Sequence, residues 1–492
     1  MQCVFFEGKP VAMQKNRTYT FIVILKLAKV ATILLIVSGC NTSRSSESAG
    51  QIIQKSFEAH GGIHATDSLK IAFHFSTSNR VNEFQSLTPF PPFEGYTTND
   101  RMWIDKPAGK ELFKQKSMTA GFTDEHITYV NKGSGYDINV TFKTYSSITN
   151  LPPPRSLLHH AILQAASSDT SKVKLVTYVA SGNDKTYHLL ADTIHLFISK
   201  DSYLVEGLQR PIYDAVYGRG TQIINFRDYV KAGKVFIPQI FEAKRITPIY
   251  DTITNEYALS NIIADFNISE DEFVRPNTDF KSNISNTREG EIRKLGPSLY
   301  FMENINGPGG PYHALIAEFI DFILITEAPL DRNVSKKVIQ KAKEIIPNKP
   351  VKYLVQSHHH NDHIGGILGY VTDGATVVTT KDAAWLIKKM GNIFVTTLGS
   401  SVQNPTLEEV DGQWRTKDKM NECITVDIGP TSHSRQILIT YFPKQKVLFQ
   451  ADLEVSDNEF IKKIKDLHWD VEILVPAHGD IIEGKELKAI LK

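Results

Sequence analysis

The sequence predicts a mixed α/β (α+β) protein in two parts, a mainly antiparallel β domain with a few helices and, after it, a domain in which helices and short apolar strands alternate. Three observations predict this. A chain of 492 residues exceeds what one ordinary core accommodates. β-rich runs separated by short turn signals fill residues 51–280, and helical patterns interleave with strands from residue 296 to the end. The composition, 41% hydrophobic and 22% charged, is that of a globular protein.

At the N-terminus, the apolar run 30–38 follows Lys26 and Lys29, with Lys15 and Arg17 upstream, which is the layout of a signal peptide over residues 1–39. Met13 is an alternative start that gives a more ordinary signal length. A spanning helix needs about twenty mostly apolar residues, and the two lysines interrupt that window. Val37-Ser38-Gly39-Cys40 resembles a bacterial lipobox. That resemblance implies a lipid on Cys40, a polar tether over residues 40–50, and a place in the bacterial cell envelope, anchored to a membrane and outside the cytoplasm. Of the three cysteines, Cys3 would be lost and Cys40 acylated, so Cys423 has no partner and structural disulfides are not expected.

The β domain, 51–280, opens with a helix over 52–59 stopped by Gly61-Gly62. A second helix is expected over 156–166, after the Pro152-Pro153-Pro154 break. Residues 187–198 and 202–208 read as a hairpin around Lys200-Asp201, and 222–229 with 234–242 as another around Ala232-Gly233. The opening helix with its Gly-Gly stop, together with Asp271-Glu272-Phe273-Val274-Arg275-Pro276, resembles the lipoprotein-carrier fold, a half-open antiparallel barrel. Tyr129, Phe142, Tyr178 and Phe197 are expected to fill its core. His159-His160 and His313 are expected to pack or to lie at the surface. Residues 281–295 are polar and read as an interdomain linker, and 296–492, about 200 residues, make a domain of ordinary size. Within it, 335–346 reads as a helix with Ser335 as cap and Pro347 as stop, and 457–469 as another.

The chemistry concentrates in Ser357-His358-His359-His360-Asn361-Asp362-His363-Ile364-Gly365-Gly366. It follows a β-branched and aromatic run, 351–356, that reads as a strand, and the glycine pair lets the backbone turn tightly into the next helix. The spacing His-x-His-x-Asp-His puts three imidazoles and a carboxylate on one short turn at a strand's C-terminal end, where α/β active sites are expected. Three further sites each border a short apolar run: His433 before the strand 436–442, Asp452 at the end of 447–452, and His478 at the end of 471–479. The chain has 16 histidines, and five of them fall on these sites.

This ordered set resembles the signature of the metallo-β-lactamase-fold hydrolases. The resemblance implies an αββα sandwich over 296–492 and two divalent metal ions, with Zn(II) the metal that imidazole and carboxylate ligands favour. It gives His358, His360 and His433 to one metal, Asp362, His363 and His478 to the other, and Asp452 as the bridge. His359 and Asn361 should point away. Asp362 and His363 are adjacent, so a non-helical backbone is expected there if both are to reach one metal. Where the family ends an early strand in aspartate this chain has Glu327, which would support the ligand loop by holding a ligating imidazole.

The activity so implied is that of a dinuclear-metal hydrolase, in which a bridging hydroxide attacks an ester, lactone or thioester bond of a small-molecule substrate. Asp452 and Asp362 are the catalytic carboxylates, the one bridging and the other orienting. β-Lactam hydrolysis is the alternative within the fold. Iron-dependent oxidoreductase relatives form another branch, of which the flavodiiron type usually has glutamate where His360 stands. A third reading makes the β domain the working part, a lipid- or glycan-binding envelope lipoprotein with an accessory metal domain. The net charge of +1 and the lack of an aromatic-basic motif speak against nucleic acid as a partner.

Overall fold

A computed structural model describes residues 47–62, 67–119, 122–141, 143–176, 185–250, 252–282, 290–305, 311–398, 404–453, 455 and 458–491. The expected signal segment and Cys40 lie outside the described residues. Ser48–Lys492 form one compact unit. Among the described residues no helix is long and apolar enough to cross a membrane.

The first helix, Ala49–Ala59, begins inside the segment expected as tether, because Ser48 and Gln51 form a reciprocal capping box. Ile52, Ile53, Ser56 and Phe57 make its buried face. It shares a core with the helix Leu158–Ser168 and with Ile71, Phe73, Leu196, Leu208, Ile224 and Phe241 from the sheet behind them. That sheet has fourteen strands among the described residues. Its pairs are antiparallel except Lys281–Ser282 with Thr144–Ile148, and Ile253–Ala264 lies directly beside Lys70–Val81.

The hairpin between Gly218–Ala232 and Val235–Ile246 turns at Gly233, whose φ of 61° suits glycine. The run 187–198 differs from expectation. It is two strands, Thr186–Ala191 and Ile194–Ser199, paired with each other, and the second also pairs with Val205–Asp214. Asp192, at φ 55°, makes the turn that the apolar residues on both sides conceal. Tyr129 is buried and Phe197 half-buried against His188, whereas Phe142 and Tyr178 lie outside the described residues.

The C-terminal part is an αββα sandwich. One sheet runs in chain order from Glu291–Gly296 to Leu407–Glu409, and the other from Gln413–Lys417 to Ile482–Glu483. Successive residues of its strands point into different cores. Leu324, Val355 and Val378 face Leu438, Phe449 and Val475 between the sheets, while Ile325, Leu354 and Val377 face the helices Arg332–Ile345, Ile367–Asp373 and Lys381–Leu398. Leu448 and Leu474 face the opposite helix layer, which includes Phe460 and Leu487. With both faces covered, these strands read as continuous apolar runs rather than alternating ones.

Two element boundaries need correction. The helix expected from Ser335 starts at Arg332 with Asp331 as its cap, and Ser335 is buried within it. Part of the expected linker is structured: Glu291–Gly296 is an edge strand paired with Leu299–Ile305. Phe84, Val216, Tyr217 and Tyr250 of the β-rich part share a core with Val338, Leu368 and Met390 of the sandwich, so the two parts pack together through buried apolar surface.

Candidate metal centre

The strand Val351–Val355 delivers the chain to the motif, and His358, His359 and His360 are all buried just past its end. Asn361–Ile364 is then a single helical turn capped by His360, which overturns the expectation of a non-helical backbone at Asp362 and His363. Neighbours on a helix diverge by about 100°. A short carboxylate and a long imidazole still converge, with Asp362 Oδ2 3.5 Å from His363 Nε2.

The glycine pair also has a different reason from the expected one. Gly365 and Gly366 sit at φ −60° and −84°, ordinary values for any residue. What requires glycine is space, since a Cβ at Gly365 would lie 2.0 Å from the Leu330 carbonyl and one at Gly366 would lie 2.1 Å from Ser335 Oγ. The buried Ser335 therefore belongs to the close packing under the ligand turn.

His433 stands on the loop before Leu438–Phe442, Asp452 follows Val447–Gln450, and His478 follows Ile473–Pro476. Among the described residues, donor atoms of His358, His360, His433 and Asp452 lie within 4.8 Å of one another, and so do those of Asp362, His363, Asp452 and His478. Asp452 is common to both groups. Its Oδ2 lies 2.7 Å from His363 Nε2 and 3.2 Å from His433 Nε2, and its Oδ1 lies 3.4 Å from His478 Nε2. All seven ligand positions expected from the sequence thus come together, and His359 turns away, its Nε2–H donating to the Ser86 carbonyl at 2.8 Å.

Three features of these residues fit divalent cations. The Nε2 atoms of His358 and His433 are 3.1 Å apart, and those of His363 and His478 are 3.2 Å apart. A tetrahedral cation with nitrogen ligands at about 2.0–2.1 Å holds them about 3.3 Å apart, so each pair has the spacing of one coordination edge. His360 donates through Nε2 to the Ser86 carbonyl at 3.1 Å, and its buried Nδ1 has no hydrogen-bond partner. That nitrogen keeps a lone pair for a cation. Finally, burial holds His358 and His360 well below the usual imidazole range, so both stay in the neutral form that ligates.

His363 is different. Burial opposes its charge, but Asp452, Asp362 and Glu327 outweigh burial and hold the imidazole above its ordinary value. For Asp452 burial works against ionisation, and His363 foremost among the neighbouring imidazoles overrides it, keeping the carboxyl well below the usual range.

Glu327 is buried beneath this group. Its Oε2 accepts from His363 Nδ1 at 3.0 Å and its Oε1 from the Ser357 backbone N–H at 3.2 Å, so one carboxylate fixes both the ring and the ligand loop. Glu327 and Asp452 have φ values of 68° and 55°. The left-handed region costs a side-chain-bearing residue roughly 1–2 kcal/mol. They are two of fifteen such positions among the described residues, and both carry carboxylates of the centre.

Three neighbours escaped the sequence reading. Gln85 Nε2 donates to Asp362 Oδ1 at 2.9 Å, the Ser86 carbonyl holds His359 and His360, and the Tyr312 ring lies 4.2 Å from that of His478. Gln85 and Ser86 come from a connection between two strands of the β-rich part, and no spacing rule links them to residue 362. Tyr312 opens an apolar strand, and its place is set by pairing across to His478, which the strand's own pattern does not show.

Residues 326–478 match the family model of the metallo-beta-lactamase superfamily. No curated protein compared with the chain matches it. Similar solved structures include a metallo-beta-lactamase from Pontibacter korlensis, with 17% identity, a TM-score of 0.33 and coverage of 41% of this chain and 96% of that one. Another is a metallo-beta-lactamase from Hirschia baltica, with 15% identity, a TM-score of 0.31 and coverage of 41% and 96%. The matched segment holds Glu327, the ligand turn and every later ligand, and the chain therefore carries a metallo-beta-lactamase superfamily domain over residues 326–478.

Proposed function

We propose that this domain is a dinuclear-metal hydrolase acting on an ester, lactone or thioester bond of a small molecule. The observation that carries the reading is the sharing of Asp452 between two converging groups of donors. His358, His360 and His433 would hold one cation, and Asp362, His363 and His478 the other. Divalent ions there, zinc by ligand type, supply Lewis acidity and a water ionised near neutrality.

The chain's own residues set the geometry for that chemistry. Glu327 keeps the proton of His363 on Nδ1, leaving Nε2 to face the donors. Asp452 places one carboxylate oxygen toward His363 and His433 and the other toward His478, and so ties the two groups together. Tyr312 is buried beside Asp362, and burial foremost, then the charge of Asp362, raises its hydroxyl above the ordinary phenol value. It stays protonated and donates to Asp362 Oδ2 at 3.5 Å.

Metal analysis of the purified protein tests the reading, with about two transition-metal ions per chain expected. Metal-loaded protein presented with thioester, lactone, β-lactam and phosphodiester panels should turn over acyl esters or thioesters. Turnover confined to β-lactams would replace the proposed substrate class, and no metal uptake would end the proposal. We propose further that Cys40 carries a lipid that anchors the protein to a membrane of the bacterial envelope, a reading supported by the apolar run before it. Cys40→Ser should release the protein into the soluble fraction, and persistence in membranes would rule that anchor out.

A further inference from the structure

The β-rich part reaches into the metal centre through one segment. Residues 82–94 connect the strands Lys70–Val81 and Gly95–Asp105 and lie against the ligand turn. Their backbone and side chains contact it in sequence. The Phe84 carbonyl accepts from Asn361 N at 3.4 Å, Gln85 Nε2 donates to Asn361 Oδ1 at 3.1 Å and to Asp362 Oδ1 at 2.9 Å, and the Ser86 carbonyl accepts from both His359 and His360. The Leu87 carbonyl then accepts from Arg435 N at 2.9 Å, two residues past His433.

The segment is fastened at its other side. Val81 N donates to Asn255 Oδ1 at 2.7 Å, the buried Glu83 pairs with Arg245, and Tyr250 donates to the Pro89 carbonyl at 2.8 Å. Phe84 stacks on Tyr217, and Phe90 lies under the Arg435 guanidinium and against Trp385. A connection tied to the β sheet on one side and to the ligand loops on the other transmits position between them.

We propose that residues 82–94 clamp the metal ligands from the β-rich part, with Gln85 as the positioning residue that holds Asp362. The inference rests on the metal reading above. By donating to Oδ1, Gln85 leaves Oδ2, the oxygen nearer His363 and His478, to face the cation. The Ser86 carbonyl does the corresponding service for His360, since an N–H spent on Nε2 leaves Nδ1 as the ligating atom. The β-rich part is then a component of the metal centre, and not only a neighbour of it.

The test is titration of the full-length chain with zinc in competition with a chromophoric chelator. Wild-type protein should take up two ions. Gln85→Leu, which keeps the bulk and removes the donor, should weaken one of the two affinities by about tenfold or more and leave the other unchanged. Gln54→Leu makes the same exchange on the exposed face of the first helix, outside residues 82–94, where Gln54 Nε2 donates to Glu58 Oε1 at 3.2 Å, and it should bind both ions as wild type does. If wild-type protein binds no metal, the functional reading fails and this inference with it. If it binds two and Gln85→Leu matches it at both, or Gln54→Leu loses as much, the clamp alone is overturned.

Discussion

Among the described residues two groups of buried histidines lie close together, and they differ in what surrounds them. In the β-rich part, His60, His159 and His160 lie with ring centroids 4.4–5.2 Å apart, against Phe226 and Tyr229. At the metal centre the rings are as close, with His358 4.5 Å from His360 and from His363. Crowding is therefore the same, and direction separates them. His60 spends Nδ1 on the Ser56 carbonyl and His160 spends Nε2 on the Phe236 carbonyl, and among the described residues no carboxylate hydrogen-bonds or ion-pairs with any of the three. The rings of the metal centre aim nitrogens at each other and at Asp452. Imidazoles alone make a core; imidazoles converging on a shared carboxylate make a candidate cage.

The largest effect should come from the residue that makes this difference. Asp452→Asn keeps the shape and removes the charge that the neighbouring imidazoles face. It should lose at least one bound ion and lower the proposed hydrolysis by about 10³-fold, about 4 kcal/mol, because a neutral amide would hold a divalent cation more weakly than the carboxylate and the reaction proposed above would need both ions. Metal analysis and initial rates on the same preparation would check it. Full metal content with full activity would erase the distinction between the two histidine groups.

The sequence shows the ligands more readily than it shows what holds them. Each of these ligands lies beside a short apolar strand, so strand recognition and residue type together mark His358 at the end of a strand of one sheet and His433, Asp452 and His478 beside strands of the other. That local signal survives without knowledge of the fold. Gln85 meets Asn361 across 276 positions, and nothing near Gln85 marks it, because its role is created by the packing of two parts. The helical turn at Asn361–Ile364 was hidden for a related reason. It leads into Gly365 and Gly366, which pack tightly on the Leu330 carbonyl and on Ser335 of the helix Arg332–Ile345, residues about thirty positions earlier in the chain. The turn at Asp192 was hidden by the opposite circumstance, apolar neighbours that read as one strand.

A smaller effect is expected one layer behind the ligands. Glu327 accepts two hydrogen bonds, from His363 Nδ1 and from Ser357 N, and an amide has only one accepting oxygen. Glu327→Gln must turn its NH₂ toward one of those donors. The affinity for the ion held by His363 should fall about 10–100-fold, about 1.4–2.8 kcal/mol, while the Asp452-dependent loss above is larger. Chelator competition reads this directly. An unchanged affinity would mean that the His363 ring is held by its neighbours without the carboxylate.

The smallest effect belongs to the other histidine group and appears as a pH dependence of stability. Burial lowers His60 to about 3 and His160 to about 4, and it lowers His159, whose two ring nitrogens are buried without partners, well below the ordinary value. A folded value below the unfolded one, about 6.5, means that the unfolded chain takes up protons first as pH falls. The stability these rings allow is complete above about pH 6.5 and is lost progressively below it, toward the folded values. His159→Leu removes one of the three, leaving His60, His160 and Tyr229 facing an apolar side chain. Between pH 7 and 5.5 the variant should lose about 1 kcal/mol less stability than wild type, measured by denaturant unfolding at both pH values. Asp100, which burial raises to about 6, titrates in both proteins and cancels in the difference. Metal content should be identical in the two proteins, because these rings point at no shared carboxylate. An ion lost on changing His159 would show that direction does not separate the two groups after all.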